Sequence, residues 1–407
     1  MEIQSYEDWS LEVHREVMAH RTPLSGTIEL TRRCNMKCVH CYNNLSTSHP
    51  ASRRDELTYQ EHRRILDEIT DAGCLWLLYT GGEIFTRSDF LDIYTYAKQK
   101  GLLITLFTNG TRITPRIADY LAEWRPFSIE ISIYGRTPST HDRISGIPGS
   151  FERCMRGIRL IMERRLPLIL KSMALTLNKH ELRDLKRFAE EELGLEFRFD
   201  AMINPRIDCS LSPLAVRLTP KEVVALDLDD PERMTGWTQF CEHFHGPMPQ
   251  RNGHHPRFSC GGGQNAFAID PTGRLSPCVL WCESTYDLRK GSFRAGWEDF
   301  LLKLTQEEVK KKSKCLKCEI RAMCGMCPAN GLLEEGSPDK PVDFLCQVAH
   351  LRAHVLNLSI PPHGECEYCK GGSKHQDLMK SVENLRRIAC DLSNSLAKPP
   401  DGLEERP

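Results

Sequence analysis

Three cysteines with a spacing suited to metal chemistry stand near the start of the chain. Cys34, Cys38 and Cys41 follow the pattern Cys-x3-Cys-x2-Cys directly after a β-rich segment. A 4Fe-4S cluster normally takes four protein thiolates, so a loop that offers three leaves one iron free for an outside ligand. A zinc loop is the alternative, but three cysteines at this spacing lack an obvious fourth ligand for zinc. The spacing therefore favours an iron-sulfur cluster with one reactive corner.

The second half of the chain holds a larger group of cysteines. The chain has 18 cysteines, and its first twenty residues lack the apolar stretch of an export signal, so a disulfide framework is not expected. Seven of them follow one another in the order Cys260, Cys278, Cys315, Cys318, Cys324, Cys327 and Cys346. Such clustering indicates metal ligation, and the two Cys-x2-Cys pairs leave a structural zinc ribbon as the alternative.

A third feature lies in the polar tail, where Cys366 and Cys369 are flanked by His363 and His375. These residue types could bind zinc, although two cysteines and two histidines in a polar tail more often bind nothing. Other thiols, such as Cys209, are expected to be ordinary buried or surface side chains.

The elements that must position the first cysteines form a regular pattern. Between residues 24 and about 201, short apolar segments alternate with helical patterns, which is typical of βα units around a parallel sheet. The predicted strands cover residues 27–31, 75–80, 102–108, 127–133, 167–175 and 196–201. A helix is predicted over 58–72, where Thr58 and Glu61 have the form of a capping box. We therefore predict an α/β fold, a partial (β/α)6 barrel of the TIM type, with the cysteine loop at its mouth.

Five segments are predicted along the chain. They are an N-terminal extension (1–23), the barrel (24–202), a connector with a short helix or two (203–257), a cysteine-rich module (258–357) and a tail (358–407). The tail contains an amphipathic stretch at 377–392 and is expected to be disordered after about residue 393.

Charge and hydropathy narrow the classes of partner. The chain has 54 Lys and Arg residues against 55 Asp and Glu residues, which gives no electrostatic reason to expect nucleic acid or an anionic membrane. No segment reaches the ~18 apolar residues needed to cross a bilayer. We expect a cytoplasmic protein with neither of these partners.

Residues 27–44, TIELTRRCNMKCVHCYNN, resemble the signature of the radical S-adenosylmethionine (SAM) superfamily. The resemblance covers roughly residues 24–201 and implies that SAM chelates the free iron of the cluster. One electron would then cleave SAM to a 5′-deoxyadenosyl radical, which abstracts hydrogen from a substrate. The SAM-binding residues that it implies are His40, Tyr42, Gly81, Gly82, Glu83, Asn109, Ser132 and Arg143.

Two of these assignments rest on short motifs. Thr80-Gly81-Gly82-Glu83 looks like the Gly-Gly-Glu-Pro motif of that family, with Ile84 in place of the proline. Small residues there let the backbone approach the amino group of SAM. Residues 141–146 resemble a loop whose arginine, here Arg143, pairs with the carboxylate of SAM.

The later cysteines resemble the SPASM extension of some radical SAM enzymes, which implies two auxiliary 4Fe-4S clusters. One would be enclosed by Cys315, Cys318, Cys324 and Cys346, and the other would have three corners on Cys260, Cys278 and Cys327. The fourth ligand of the second set could be Cys241, Cys282, a substrate atom or nothing. The gap between the third and fourth cysteines of the 315–327 group is x2, whereas the family usually has x3.

The resemblance implies oxidative modification of a ribosomally made precursor peptide, with the auxiliary clusters accepting an electron. Processing of a tetrapyrrole, a cofactor or another small molecule is one alternative, and a non-catalytic iron-sulfur electron carrier is another. Val279 follows Cys278 where formylglycine-forming maturases have an aspartate base, which argues against that reaction. The expected partners are a low-potential electron donor of the flavodoxin or ferredoxin type and, because few residues precede the first strand, a separate leader-binding protein.

Overall fold

The computed structural model describes residues 9–10, 12–13, 17, 20–43, 45–46, 55–244, 255–309, 313–358, 360–361 and 365–396. The chain divides into two compact units. The first comprises Met1–Arg217 and Cys260–Glu307, and the second comprises Leu218–Ser259 and Glu308–Pro407. No helix in these described ranges is long and apolar enough to cross a membrane.

The first unit is built on one mixed sheet. Its nine strands are β1 Ser25–Glu29, β2 Trp76–Thr80, β3 Leu103–Thr108, β4 Ser128–Ser132, β5 Leu168–Met173, β6 Glu196–Asp200, β7 Ala266–Ile269, β8 Arg274–Ser276 and β9 Tyr286–Asp287. The strand order is β9-β8-β7-β1-β2-β3-β4-β5-β6. Strands β1 to β6 pair in parallel and in chain order, which confirms the predicted arc of six βα units.

Strand β7 extends this arc beyond the predicted strands. It pairs in parallel with β1, where Ser25 stands beside Ala266, and β8 and β9 continue the sheet in antiparallel order. The sequence does not predict these strands, because they are only two to four residues long and lie among glycines and cysteines.

Helices connect the parallel strands. They are α1 Tyr59–Asp71, α2 Phe90–Gln99, α3 Pro115–Glu123, α4 Pro138–Ser145, α5 Ser150–Glu163 and α6 Leu182–Arg187, followed after β9 by the helical segments Phe293–Ala295, Gly296–Leu301 and Leu302–Gln306. Helix α1 begins with the predicted capping box, because the Thr58 side chain accepts from the Glu61 amide while the Glu61 carboxylate accepts from the Thr58 amide at 2.7 Å. Ile65 and Ile69 of this helix are fully buried.

The two faces of the sheet differ in character. One face carries fully buried apolar side chains, among them Ile28, Leu106, Ile131 and Leu170. The alternate positions, on the opposite face, carry Glu29, Thr80, Phe107, Glu130 and Lys171. The register pairs Glu29 with Thr80, Phe107 with Glu130, and Lys171 with Ser132. The inner face of the barrel is therefore polar.

The second unit is helical. Its main helices are α7 Pro220–Leu228, α8 Pro231–Phe244, α9 Pro328–Glu335, α10 Asp343–Val355 and α11 His375–Leu396. Helix α10 packs against α7 and α11, and its buried Arg352 binds Asp227 of α7 at 2.7 Å. The tail residues 397–407, for which disorder is expected, lie outside the described ranges.

Candidate active site

The first cysteine loop follows β1 at the carboxyl end of the parallel strands. Cys34 is buried, while Cys38 and Cys41 are partly buried. Burial raises the pKa of Cys34 to about 12 and that of Cys38 well above its ordinary value, and the charges of neighbouring thiols add to both shifts. Without a metal these thiols stay protonated, so cluster binding must release protons.

One side of the loop is held by the end of α4. The amide of Lys37 donates to the carbonyl of Ser145 at 2.8 Å, and the amide of Val39 donates to the carbonyl of Ile144 at 3.0 Å. Gly146 ends the helix with a φ of +69°, and a Cβ there would lie 2.8 Å from the Lys37 carbonyl oxygen. The loop between the first and third cysteines therefore rests on carbonyl groups that a helix end leaves free.

The other end of the loop is held by a buried acid. Glu29 accepts hydrogen bonds from the Tyr42 hydroxyl at 2.8 Å and from the Asn43 amide. Burial raises the pKa of Glu29 to about 7, although these hydrogen bonds and the charge of Arg32 oppose the shift. The hydroxyl of Tyr42, an expected SAM-binding residue, is thus engaged by the protein. The Tyr42 carbonyl accepts from the Ile207 amide at 3.0 Å.

The two glycines after β2 pack directly against the start of the cysteine loop. A Cβ at Gly81 would lie 2.3 Å from the Thr31 carbonyl oxygen, and one at Gly82 would lie 2.3 Å from that of Arg33. The Gly82 amide donates to the Thr31 carbonyl at 2.7 Å. These positions accept no side chain, as the motif predicts.

Glu83 joins the ends of two strands. Its carboxylate accepts from the Thr108 hydroxyl and the Asn109 amide, each at 2.8 Å, and from the Phe85 amide at 3.2 Å. Burial raises the pKa of Glu83, and these hydrogen bonds oppose the shift. Both oxygens have protein donors, so the structure gives Glu83 a positioning role, and its direct contact with SAM stays a prediction.

Asn109 contacts the cysteine loop. Its side-chain amide lies 3.8 Å from the sulfur of Cys34 and donates to Asn35 at 3.1 Å. Its oxygen accepts from the amide and the hydroxyl of Thr111 at 3.0 and 2.6 Å, which fixes the amide group with its donor side towards the thiol.

The sequence does not identify Tyr134, which lies beside the second cysteine. Its ring meets His40 edge-on at 4.8 Å. Burial raises the pKa of the Tyr134 hydroxyl, and the charge of the nearby Cys38 thiol adds to the shift. Burial lowers the pKa of His40 to about 4, and within the described residues its Nδ1 has no hydrogen-bond partner. A buried, unpartnered nitrogen beside the thiols fits a site that holds a cofactor.

The segment that contains Arg143 differs from the loop expected there. Residues 141–145 belong to α4, not to a loop, because Thr137 caps the helix, Pro138 stands in its first turn and Gly146 ends it. The Arg143 side chain is exposed on this helix. Its pairing with the SAM carboxylate stays a prediction.

Four of the predicted auxiliary ligands meet in the second unit. Cys315, Cys318, Cys324 and Cys346, together with Cys327, line one cavity. Burial raises the pKa of Cys324 well above its ordinary value, and the nearby charge of Cys346 adds to the shift. Burial also raises the pKa of Cys315 and that of Cys346, so metal binding at these thiols must release protons.

The remaining auxiliary candidates are divided between the units. Cys260 and Cys278 belong to the first unit and Cys327 to the second. A Cβ at Gly262 would lie 3.4 Å from the Cys260 sulfur and 3.0 Å from the Pro277 carbonyl oxygen, so Cys260 and the residue before Cys278 are close. The side chain of Cys241 lies outside the described part of the chain.

Cys282, another candidate fourth ligand, has a neighbour that the sequence does not indicate. Burial raises the pKa of Cys282, and the charge of the nearby Cys209 thiol adds to the shift. Cys209 is an exposed free thiol, as expected for an ordinary surface cysteine.

Ligand spacing distinguishes zinc from a larger metal group. Thiolates that share one tetrahedral zinc lie about 3.8 Å apart, given Zn–S bonds of about 2.3 Å. Within the described residues, only His350, Cys366 and Cys369 form a set whose ligand atoms all lie within 4.8 Å of one another. The thiols of the first loop and those of the Cys315 group, all within the described ranges, do not form such a compact set.

Comparison with known proteins agrees with this geometry. Residues 28–191 match the model of the radical SAM superfamily. The chain is 26% identical over 329 residues to the AdoMet-dependent heme synthase of Methanosarcina barkeri, spanning 76% of this chain and 92% of that protein. It is 27% identical over 364 residues to the mycofactocin maturase MftC of Mycobacterium tuberculosis, spanning 86% and 89%. The fold is similar to that of Streptococcus suis SuiB bound to its precursor peptide SuiA, with a TM-score of 0.63 at 17% identity over 85% of this chain and 82% of that one.

Proposed function

We propose that the chain, residues 28–191 of which match the radical SAM superfamily, cleaves SAM reductively at Cys34, Cys38 and Cys41 and oxidises a precursor peptide. The observation that carries this proposal is the double anchoring of the cysteine loop, on the end of α4 and on Glu29, at the carboxyl ends of the strands. A 4Fe-4S cluster bound there supplies the electron for the cleavage and an iron for SAM.

The protein's own residues have distinct tasks in this proposal. Gly81 and Gly82 place their backbone against the cysteine loop, and they are proposed to bind the amino group of SAM. Asn109 holds a donor towards Cys34. Ser132 and Arg143 are proposed for the ribose or methionyl part and for the carboxylate of SAM.

The auxiliary clusters belong to the proposal as electron acceptors. Cys315, Cys318, Cys324 and Cys346 would enclose one cluster, which is supported by the cavity that they share. Cys260, Cys278 and Cys327 would hold three corners of another. A cluster near the substrate can accept the electron that a substrate radical must lose.

The inner face of the sheet is the proposed substrate surface. Lys171 pairs with Glu130 across neighbouring strands, and its ammonium lies 4.0 Å from the centre of the Phe107 ring. Paired charges beside an aromatic ring suit a polar substrate such as a peptide. The likeness to MftC and to the peptide-bound SuiB supports this class.

An iron porphyrin is the second candidate substrate. It is favoured by the heme synthase relative, because this chain spans 92% of that protein. Both candidate substrates require the same cleavage of SAM, so the two proposals differ only in which substrate the enzyme consumes.

Anaerobic reconstitution tests the proposal. After reduction with dithionite we expect SAM to yield 5′-deoxyadenosine, and we expect a precursor peptide encoded beside the gene to lose hydrogen atoms, as measured by mass spectrometry. Turnover of an iron porphyrin with no change in the peptide would select the second candidate. A flavodoxin or ferredoxin and a small leader-binding protein are the proposed partners, and adding them should accelerate peptide turnover.

A further inference from the structure

We propose that His350, Cys366 and Cys369 bind a structural zinc ion in the second unit. The Nε2 atom of His350 lies 3.4 Å from the Cys366 sulfur and 3.7 Å from the Cys369 sulfur. Zinc bonds of about 2.3 Å to sulfur and 2.0–2.1 Å to nitrogen place these atoms about 3.6 Å apart in a tetrahedron. The observed separations therefore match the edges of a zinc site.

The histidine has the tautomer that a zinc ligand needs. Its Nδ1 lies 2.7 Å from the carbonyl oxygen of Cys346, one helical turn earlier on α10. Because a carbonyl only accepts, Nδ1 carries the hydrogen and Nε2 presents its lone pair to the two sulfurs. In most metal sites the histidine ligand donates its other ring N–H to a carboxylate, a backbone carbonyl or water, and this hydrogen bond orients the ring.

The two cysteines are brought together by a tight turn. The amide of Cys369 donates to the Cys366 carbonyl at 3.3 Å, and the amide of Gly372 donates to the Cys369 carbonyl at 2.8 Å. A Cβ at Gly372 would lie 2.4 Å from the Glu367 carbonyl oxygen, so the turn requires a glycine. The thiols are not joined in a disulfide, and the Cys-x2-Cys spacing is the one most frequent in zinc sites.

The site is enclosed. His350, Cys366 and Cys369 are 2%, 5% and 6% exposed, and the ring of Tyr368 packs at 5.4 Å from that of His350. A zinc ion at this point would bind both sulfurs and the imidazole in their buried positions.

The zinc would fasten the segment after residue 365 to α10. This segment is also attached through Asp343, which accepts from the Tyr368 hydroxyl at 2.9 Å and from Lys374 at 2.8 Å. Helix α10 carries Cys346 of the proposed cluster set one turn before His350, so the zinc would hold the helix that supplies a cluster ligand. The zinc site does not depend on SAM cleavage.

Metal analysis of the full-length chain, produced with iron and zinc in the medium, tests the site. We expect one zinc per chain besides the iron, and X-ray absorption at the zinc edge should show two sulfur ligands and one nitrogen ligand. The double variant Cys366→Ser and Cys369→Ser, and the single variant His350→Gln, should lose the zinc and keep the iron. Cys74→Ser, which changes a buried thiol of the first unit, should keep both metals.

Two results would overturn the proposal. Wild-type protein with its full iron content but no zinc would show that the three residues bind none. A double variant that loses about four irons would assign them to a 4Fe-4S cluster instead. If the double variant does not fold, the wild-type metal content and the absorption spectrum still decide, and 5′-deoxyadenosine production reports separately on the proposed function.

Discussion

The side-chain amide of Asn109 lies 3.8 Å from the sulfur of Cys34, and Thr111 fixes its orientation. Asn109 follows the end of β3, whereas Cys34 follows β1, so the two meet only because parallel strands bring their carboxyl ends together. A donor near a cluster thiolate stabilises the more negative, reduced state of the cluster.

Replacing Asn109 with aspartate should therefore lower the reduction potential of the SAM-binding cluster. The carboxylate keeps the acceptor for Thr111 but replaces the donor near Cys34 with a negative charge. We expect a decrease on the order of tens of millivolts, measured by redox titration with electron paramagnetic resonance. Thr111→Ser keeps the hydroxyl that orients Asn109 and should leave the potential near that of the wild type. An unchanged potential in the aspartate variant would remove Asn109 from the cluster environment.

Replacing Gly146, which ends α4, should impair cluster binding more than replacing Gly336, which ends α9 in the second unit. Gly146 and Gly336 both end helices at a φ of +69°, so alanine costs each the same left-handed strain of about 1 kcal/mol. Only at Gly146 does the new Cβ meet a neighbour, the Lys37 carbonyl oxygen at 2.8 Å, while nothing lies within 4 Å at Gly336. We expect Gly146→Ala to reduce the iron content and to lower 5′-deoxyadenosine production at least about tenfold.

Gly336→Ala is the matched control for this comparison. It should lose a similar part of its thermal stability while retaining its iron and its activity. Equal losses of iron in both variants would indicate that strain alone, and not displacement of the cysteine loop, explains the result.

The sequence predicts the main elements well because their periodicity is strong. The six predicted strands all form, with ends within one or two residues of those predicted, since alternating or continuous apolar residues mark buried strands. The capping box at Thr58 is confirmed for the same local reason. The loop expected at Arg143 is wrong, because Thr137 caps a helix there and Gly146 ends it.

The contacts that complete the sites are harder to predict, since they join residues that are far apart in the chain. No local signal relates the carbonyls of Ile144 and Ser145 to the cysteine loop, or His350 to Cys366. His350 is one of two histidines on α10, and only the packing of the later segment distinguishes it. Of the two histidines that flank Cys366 and Cys369 in the sequence, His363 lies outside the described ranges, and the Nδ1 of His375 hydrogen-bonds the Tyr368 carbonyl at 3.0 Å.

The buried acid Glu29 should make stability depend on pH. Its folded pKa of about 7 lies above the ordinary value of 4.5, so the folded state holds the proton more tightly and stability falls as the pH rises from about 5 to about 8. Glu29→Gln keeps an oxygen that accepts from Tyr42 and Asn43 but carries no charge at any pH. The variant should therefore gain stability relative to the wild type over this range, by up to about 3 kcal/mol.

Melting temperatures of both proteins at pH 5 and pH 8 measure this effect. The charged neighbours of Glu29, Arg32 and Asp270, are present in both proteins, so the comparison isolates the carboxyl group of Glu29. A difference that does not change with pH would mean that Glu29 is ionised throughout.

Variants of the first cysteine loop and variants of the Cys315 group should have different effects on SAM cleavage and on substrate oxidation. Alanine at Cys34, Cys38 and Cys41 should abolish 5′-deoxyadenosine and leave about eight of about twelve irons, because two auxiliary cubanes would remain. Alanine at Cys315 and Cys318 should also remove about four irons, yet cleavage should continue without oxidised product, because the radical would still form while its electron had no acceptor. Iron assays, nucleoside chromatography and mass spectrometry of the substrate measure the three quantities. Cleavage that persists in the first variant, or full product formation in the second, would contradict the assigned division of labour between the two sets.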